Sequence, residues 1–278
     1  EISACLVGSE MCIRDRDRTD RRNVGGFGVI RKMSGGIVKD ITIKNTYIKV
    51  LNRRDKSGTN VRGLGALIGK IEGESSAAYT DVQINNVTVD GATIIKFGRD
   101  GRENDYGYGC GGIVGQTSKK TVFTNCKVIN TKISPNQDDN RRGNKEGGFV
   151  GESSGAEIII KNDTPMVSVA STTVVYDKDL PKKDSDHGGL IGWTSGKTTI
   201  ENVIMEGTVY SGESGGGFIG YIENAEANIS DCIFNGKVAA SNYTGGFIGN
   251  SGYNTVFNIS NCKNYGSVTG DKLSLIHI

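Results

Sequence analysis

The sequence predicts an all-β chain wound into a right-handed parallel β-helix, a β-solenoid of about seven rungs. Three observations predict it. A glycine-rich box recurs along the chain, a short alternating segment follows each box, and Ile, Val and Thr are common while Leu is scarce. Composition sets the outer limits. The chain has 278 residues with 41 glycines and 3 prolines, and it is 36% hydrophobic. Glycine without a Gly-X-Y period excludes collagen, and plentiful β-branched residues at a net charge of +2 exclude disorder. No run of roughly 18 apolar residues exists to span a membrane as a helix.

The two ends are set apart first. Met11 to Arg16 back-translates as ATG TGT ATA AGA GAC AGN, and Leu273 to Ile278 as CTG TCT CTT ATA CAC ATC. These strings are reverse complements and resemble a transposon-end sequencing adapter, which Val7 to Glu10 continue upstream. Residues 1–16 and 273–278 are therefore expected to be translated adapter, and 17–272 one β-solenoid domain, an internal fragment cut at both ends. On that reading Cys5, Cys12 and His277 drop out, which leaves Cys110, Cys126, Cys232, Cys262 and a single histidine, His187. The remaining 31 basic and 28 acidic residues are too balanced to point to nucleic acid.

The box reads Gly-Gly-apolar-apolar-Gly at 111–115, 147–151, 188–192, 216–220 and 245–249, with GALIG at 65–69 and a degraded GGFG at 25–28. The shortest repeats are 28 and 29 residues. After each box comes a segment anchored on Asn45, Asn86, Asn125, Asn162, Asn202, Asp231 or Asn261. Two residues before each anchor the chain is always apolar (Ile43, Ile84, Phe123, Ile160, Ile200, Ile229, Ile259), and one before it is always polar. That alternation is a strand with one buried face, since a helix would place apolar residues three and four apart. A third short strand is expected at Thr208-Val209, Lys237-Val238 and Ser267-Val268, each after a glycine. Strands this short cannot bury an apolar face alone, but stacked copies make one continuous core, with parallel strands about 4.8 Å apart. The box glycines are expected to supply tight corners, often at positive φ.

The Gly-Gly-Phe-Ile-Gly boxes, with Ile-Ser-Asn-Cys-x-Asn-x-Gly-x-Val at 259–268, resemble the GLUG motif of bacterial surface proteins. The resemblance covers almost all of 17–272. It implies a secreted or cell-surface location and an adhesin-like or accessory role, because such repeats occur in adhesin-like proteins and in the N-terminal regions of zinc metallopeptidases that cleave immunoglobulin A. The chain has no His-Glu-x-x-His, so peptidase activity does not carry over. Asp163-Thr164-Pro165 after Asn162 departs from the repeat.

Few residues suggest chemistry. The anchor Asn series reads as a structural ladder of stacked amides. Cys126, Cys232 and Cys262 share a repeat position with Val87, Val203 and Thr46, so they read as small core hydrophobes. The adjacent-rung pair Cys232 and Cys262 would also permit a disulfide, and free thiols are the favoured reading. His187 is expected on a solvated loop, as is the acidic run Asp177, Asp179, Asp184 and Asp186. Five residues before the anchors the signs alternate through Lys120, Glu157, Lys197 and Glu226, which suits cross-rung salt bridges. Asp40 and Asp81 stand out there as like-charged neighbours. No metal or cofactor is expected.

Insertions carry the functional expectation. The first four repeats hold extra residues at 51–63, 96–109, 133–147 and 176–188, all leaving from one corner. They bring Arg53, Arg54, Tyr106, Tyr108, Asp138, Asp139, Arg141 and Arg142 to one side. Loops on a rigid scaffold are where recognition concentrates, so these eight form the candidate ligand-binding face. The expected function is a non-catalytic stalk or adhesin-like segment binding a glycan or a host or surface protein, its other contacts being neighbouring repeats of the same chain. The alternatives are a carbohydrate-active β-helix enzyme, with Asp138, Asp139 and Arg141 as first suspects, and an accessory arm of a larger metallopeptidase.

Overall fold

The computed structural model describes residues 26–51, 63–73, 81–97, 109–134, 144–174 and 185–270, so both adapter-like ends lie outside the described residues. Among the described residues there is no helix, and the strands pair in parallel. Four sheets result. A seven-stranded box sheet runs Ile30–Met33, Ile68–Ile71, Val114–Thr117, Val150–Ser153, Ile191–Thr194, Ile219–Ile222, Ile248–Ser251. A ten-stranded sheet holds the anchor segments, from Gly36–Lys44 to Val256–Ser260. The third sheet is seven-stranded, from Tyr47–Leu51 to Ser267–Gly270, and the fourth has six strands, from Leu64–Gly65 to Tyr243–Gly245. In the box and third sheets the neighbours follow chain order, so each turn of the chain lies on the one before, as in a β-helix.

Alternation puts the core where it is expected. Ile84, Phe123, Ile160, Ile200 and Ile229 are all at most 1% exposed, and box residues Phe149, Phe218 and Phe247 join them inside. Phe218 stacks on Phe247 at 5.0 Å, and Phe123 tilts against Phe149 at 5.5 Å. Burying each such side chain stabilises the fold by about 1.5–3 kcal/mol.

Several expectations need correction. Full turns have four or five strands, not three, because the box itself is bent: Ser214–Gly216 ends at the first box glycine and Ile219–Ile222 begins three residues later. The box glycines are not there for positive φ. They are there because backbone lies against them: a Cβ on Gly216 would sit 1.8 Å from the Ile219 carbonyl oxygen, and one on Gly217 1.9 Å from that of Gly246. Positive φ belongs instead to the anchors, with Asn86 at 52°, Asn125 at 53°, Asn202 at 57° and Asp231 at 54°. Asn and Asp tolerate that left-handed geometry better than other residues with a side chain. Their amides do bond between turns, but to varied partners. Asn86 Nδ2 donates to Asp40 Oδ1 (2.8 Å), Asn125 Nδ2 to Asp163 Oδ2 (2.6 Å), and Asn202 Nδ2 to the Asn162 carbonyl (3.0 Å).

The first repeat is offset. Lys39 pairs with Asn85 and Ile41 with Val87, so Asp40, at φ 57°, is its anchor and Val38 its buried residue. Asn45 turns a second corner, the one turned by Gly91 and Asn130 in the next two repeats. Ile41, not Thr46, therefore shares the column of Val87, Cys126 and Val203. In the fourth repeat the register slips between Lys161 and Met166, which absorbs Asp163-Thr164-Pro165 as a bulge. Asn162 lacks positive φ and is buried, its amide donating to the Ser168 hydroxyl and the Asn202 carbonyl.

Candidate functional site

Arg53, Arg54, Tyr106, Tyr108, Asp138, Asp139, Arg141 and Arg142 lie outside the described residues. What is described is the frame that carries them. One inserted stretch leaves Tyr47–Leu51 and returns at Leu64–Gly65, and the next links Thr93–Phe97 to Gly109–Gly111. The other two link Lys132–Ser134 to Asn144–Gly147 and Thr173–Val174 to Ser185–Gly188. The departure strands neighbour one another in the third sheet, and the return strands do so in the fourth. All four insertions thus open from one corner, on successive turns about 4.8 Å apart. Later turns cross that corner in two residues, Gly212-Glu213 and Ser241-Asn242.

Behind the corner runs a column of inward residues, one from each return strand: Leu64, Cys110, Glu146, His187, Gly215 and Thr244. Here the solvated-loop expectation for His187 fails. The residue lies in strand Ser185–Gly188 and is fully buried, against an equally buried Glu146 on the preceding turn. Its Nε2 meets Glu146 Oε2, and its Nδ1 donates to the Tyr210 carbonyl at 2.6 Å. Burial works to lower the His187 pKa, but the Glu146 carboxylate and the Tyr210 carbonyl outweigh it, so the value is raised above the ordinary one. Beside the pair, the Ser211 hydroxyl donates to the Ser185 carbonyl (2.7 Å), and the Gly212 amide donates to Ser185 Oγ (2.8 Å). Asp186 is half-buried in the same strand, so this end of the acidic run is not a loop either, while Asp177, Asp179 and Asp184 lie outside the described residues.

On the outer side Lys145 Nζ reaches Glu152 Oε1 at 2.8 Å and lies 3.6 Å above the Trp193 ring, while Gln116 Nε2 donates to Glu152 Oε2 at 3.2 Å. Gln116, Glu152, Trp193, Tyr221 and Asn250 form one column on the box sheet. Sequence reasoning missed both columns, yet each carried a signal. Cys110, Glu146, His187, Gly215 and Thr244 each stand immediately before a box, and the outer column stands immediately after the last glycine of one.

The charge ladder is as expected beyond the first turn. Lys120 pairs with Glu157 (3.0 Å) and Asp81 (3.7 Å), and Lys197 with Glu226 (3.9 Å). The like-charged neighbours Asp40 and Asp81 do not exist, because Gly35 occupies that place beside Asp81 and Asp40 is an anchor. The column cysteines are free thiols. Cys126 and Cys232 are buried, which pushes their thiols up to about 11 and about 12, and Cys262 is half-buried.

Chemically, Glu146 and His187 have no route to a substrate, since neither reaches solvent. Among the described residues no group of three or more His, Cys, Asp or Glu is placed to hold a metal ion, and no helix is long and apolar enough to cross a membrane. Comparison with family models, curated proteins and solved structures finds no match to the chain.

Proposed function

We propose that the chain is a right-handed β-helix of about seven rungs serving as a stalk or adhesin-like segment of a secreted or surface-attached bacterial protein, without catalytic activity of its own. It presents the inserted stretches at 52–62, 98–108, 135–143 and 175–184 to a glycan or a protein ligand. The observation that carries this reading is the shared corner: four insertions of unlike sequence, on successive turns, all placed between the same two sheets. Variation that served only as spacer would be free to fall at any corner. The resemblance to GLUG repeats supports the location and the bacterial origin.

The test replaces 98–108 and 135–143 by two-residue connections copied from Gly212-Glu213, then compares binding on glycan and host-protein arrays. Loss of a signal, with the β-sheet circular dichroism kept, is the expected result. A signal carried equally by the shortened chain reduces the segment to a spacer. Polysaccharide turnover by the full chain that vanishes in Asp138→Asn, Asp139→Asn would overturn the non-catalytic reading.

A further inference from the structure

We propose that the buried Glu146–His187 pair is a protonation latch: with the imidazole protonated it ties three strands together at the insertion corner, and loss of that proton loosens them. The pair joins strand Asn144–Gly147 to strand Ser185–Gly188, and the Nδ1 donor of His187 adds strand Thr208–Ser211 through the Tyr210 carbonyl at 2.6 Å. The first two strands are those on which the chain returns from 135–143 and 175–184. Any movement of this pair is therefore movement of the base of two insertions.

The position does not require charge. The same column holds Leu64 and Cys110 on earlier turns and Gly215 and Thr244 on later ones. Nor is the charge shared out. Apart from the contact with His187, neither carboxylate oxygen of Glu146 finds a hydrogen-bond donor among the described residues. A buried carboxylate held by one imidazolium is stable only while that imidazolium keeps its proton, because an unpaired buried charge is costly. Among the described residues, the other titratable or charged groups on the elements packed around the pair are Cys110, Lys132, Lys145, Glu152, Asp186, Tyr210 and Tyr221. Lys145 is already committed to Glu152 and Trp193 on the outer side and Lys132 is exposed, so among the described residues His187 is the counter-charge inside.

The sign follows from linkage. An unfolded imidazole titrates at 6.5, and the folded one titrates higher. The stabilisation is complete below the unfolded value and is lost as pH rises through the folded one. Exchange of a single proton limits the loss to about tenfold in the opening equilibrium per pH unit across that window, after which it levels off.

Hydrogen exchange on the full chain, corrected for intrinsic rates, tests this. Protection in 144–147 and 185–188 should fall with rising pH above 6.5, while Ile248–Ser251 holds. The double variant Glu146→Leu, His187→Leu, which repeats the leucine that Leu64 places in this column, should be flat. A flat wild-type profile, or the same slope in the double variant, overturns the latch. Should that variant not fold, proton NMR of the His187 ring decides alone: titration above 6.5 supports the latch, and titration at or below it overturns it. The inference does not rest on ligand binding, so a flat profile would leave the stalk reading standing, and a failed binding assay would leave the latch standing.

Discussion

The turns that return from 135–143 and 175–184 and the turns that carry no insertion are built differently inside. Where the chain crosses the corner in two residues, the return strands contribute Gly215 and Thr244, and the neighbouring core is the Phe218–Phe247 stack at 5.0 Å. Where it returns from 135–143 and 175–184, the return strands bring Glu146, His187 and Ser185 inside. A two-residue crossing fixes the register of the next strand by its length alone. After a long insertion the strand must find its register by its own contacts, and a one-residue slip would turn every side chain to the wrong face. A buried ion pair punishes that slip more sharply than apolar packing does, which is its best-attested use. Charge in this core therefore sits behind the last two insertions, while apolar Leu64 and Cys110 fill the same column behind the first two.

The comparison can be broken from either side. The largest effect is expected in the insertion-free turns, where Phe218→Ala removes a fully buried ring and should cost about 3–5 kcal/mol, read from urea unfolding. A loss under about 1 kcal/mol would mean that the stack is not what holds those turns. Next, Glu146→Leu alone leaves His187 without its counter-charge and should cost about 3 kcal/mol near pH 6. Adding His187→Leu should restore most of that, because an apolar pair of similar volume suits a buried site. If the double variant is as unstable as the single one, the pair is not the source of the difference between the two kinds of turn.

Much of this was legible in the sequence, and what was not has physical causes. The anchor strands were readable because five residues of alternation show a buried face, as at Ile84, Phe123 and Ile229. The fourth strand was not, because Ser214-Gly215-Gly216 has neither length nor side chains to show a period. The first anchor was misplaced by five residues because Asp40 and Asn45 both turn left-handed corners, and both residue types suit that geometry. His187 was misread because it follows an acidic, lysine-rich stretch, whose polarity says nothing about a strand that starts at Ser185. The corner that carries the candidate face was legible from the placing of the insertions alone.

The smallest effect concerns a column that both kinds of turn share. Cys126 lies among the insertion-bearing turns, Cys232 and Cys262 among the later ones, and Val87 and Val203 fill the same place elsewhere. If the column is plain packing, Cys232→Val should change stability by about 1 kcal/mol or less, as volume-conserving apolar swaps do. Thiol reactivity sharpens this. With their thiols pushed up to about 11 and about 12, Cys126 and Cys232 are almost wholly protonated at pH 8 and shielded from solvent, whereas Cys262 is half-buried. Iodoacetamide on the native chain at pH 8 should therefore label Cys262 before the other two, and urea should abolish the difference. Equal labelling of Cys126 and Cys262 in the native chain would mean that the turn at 109–134 opens as readily as the last described turn, and the contrast between the two regions would have to be drawn elsewhere.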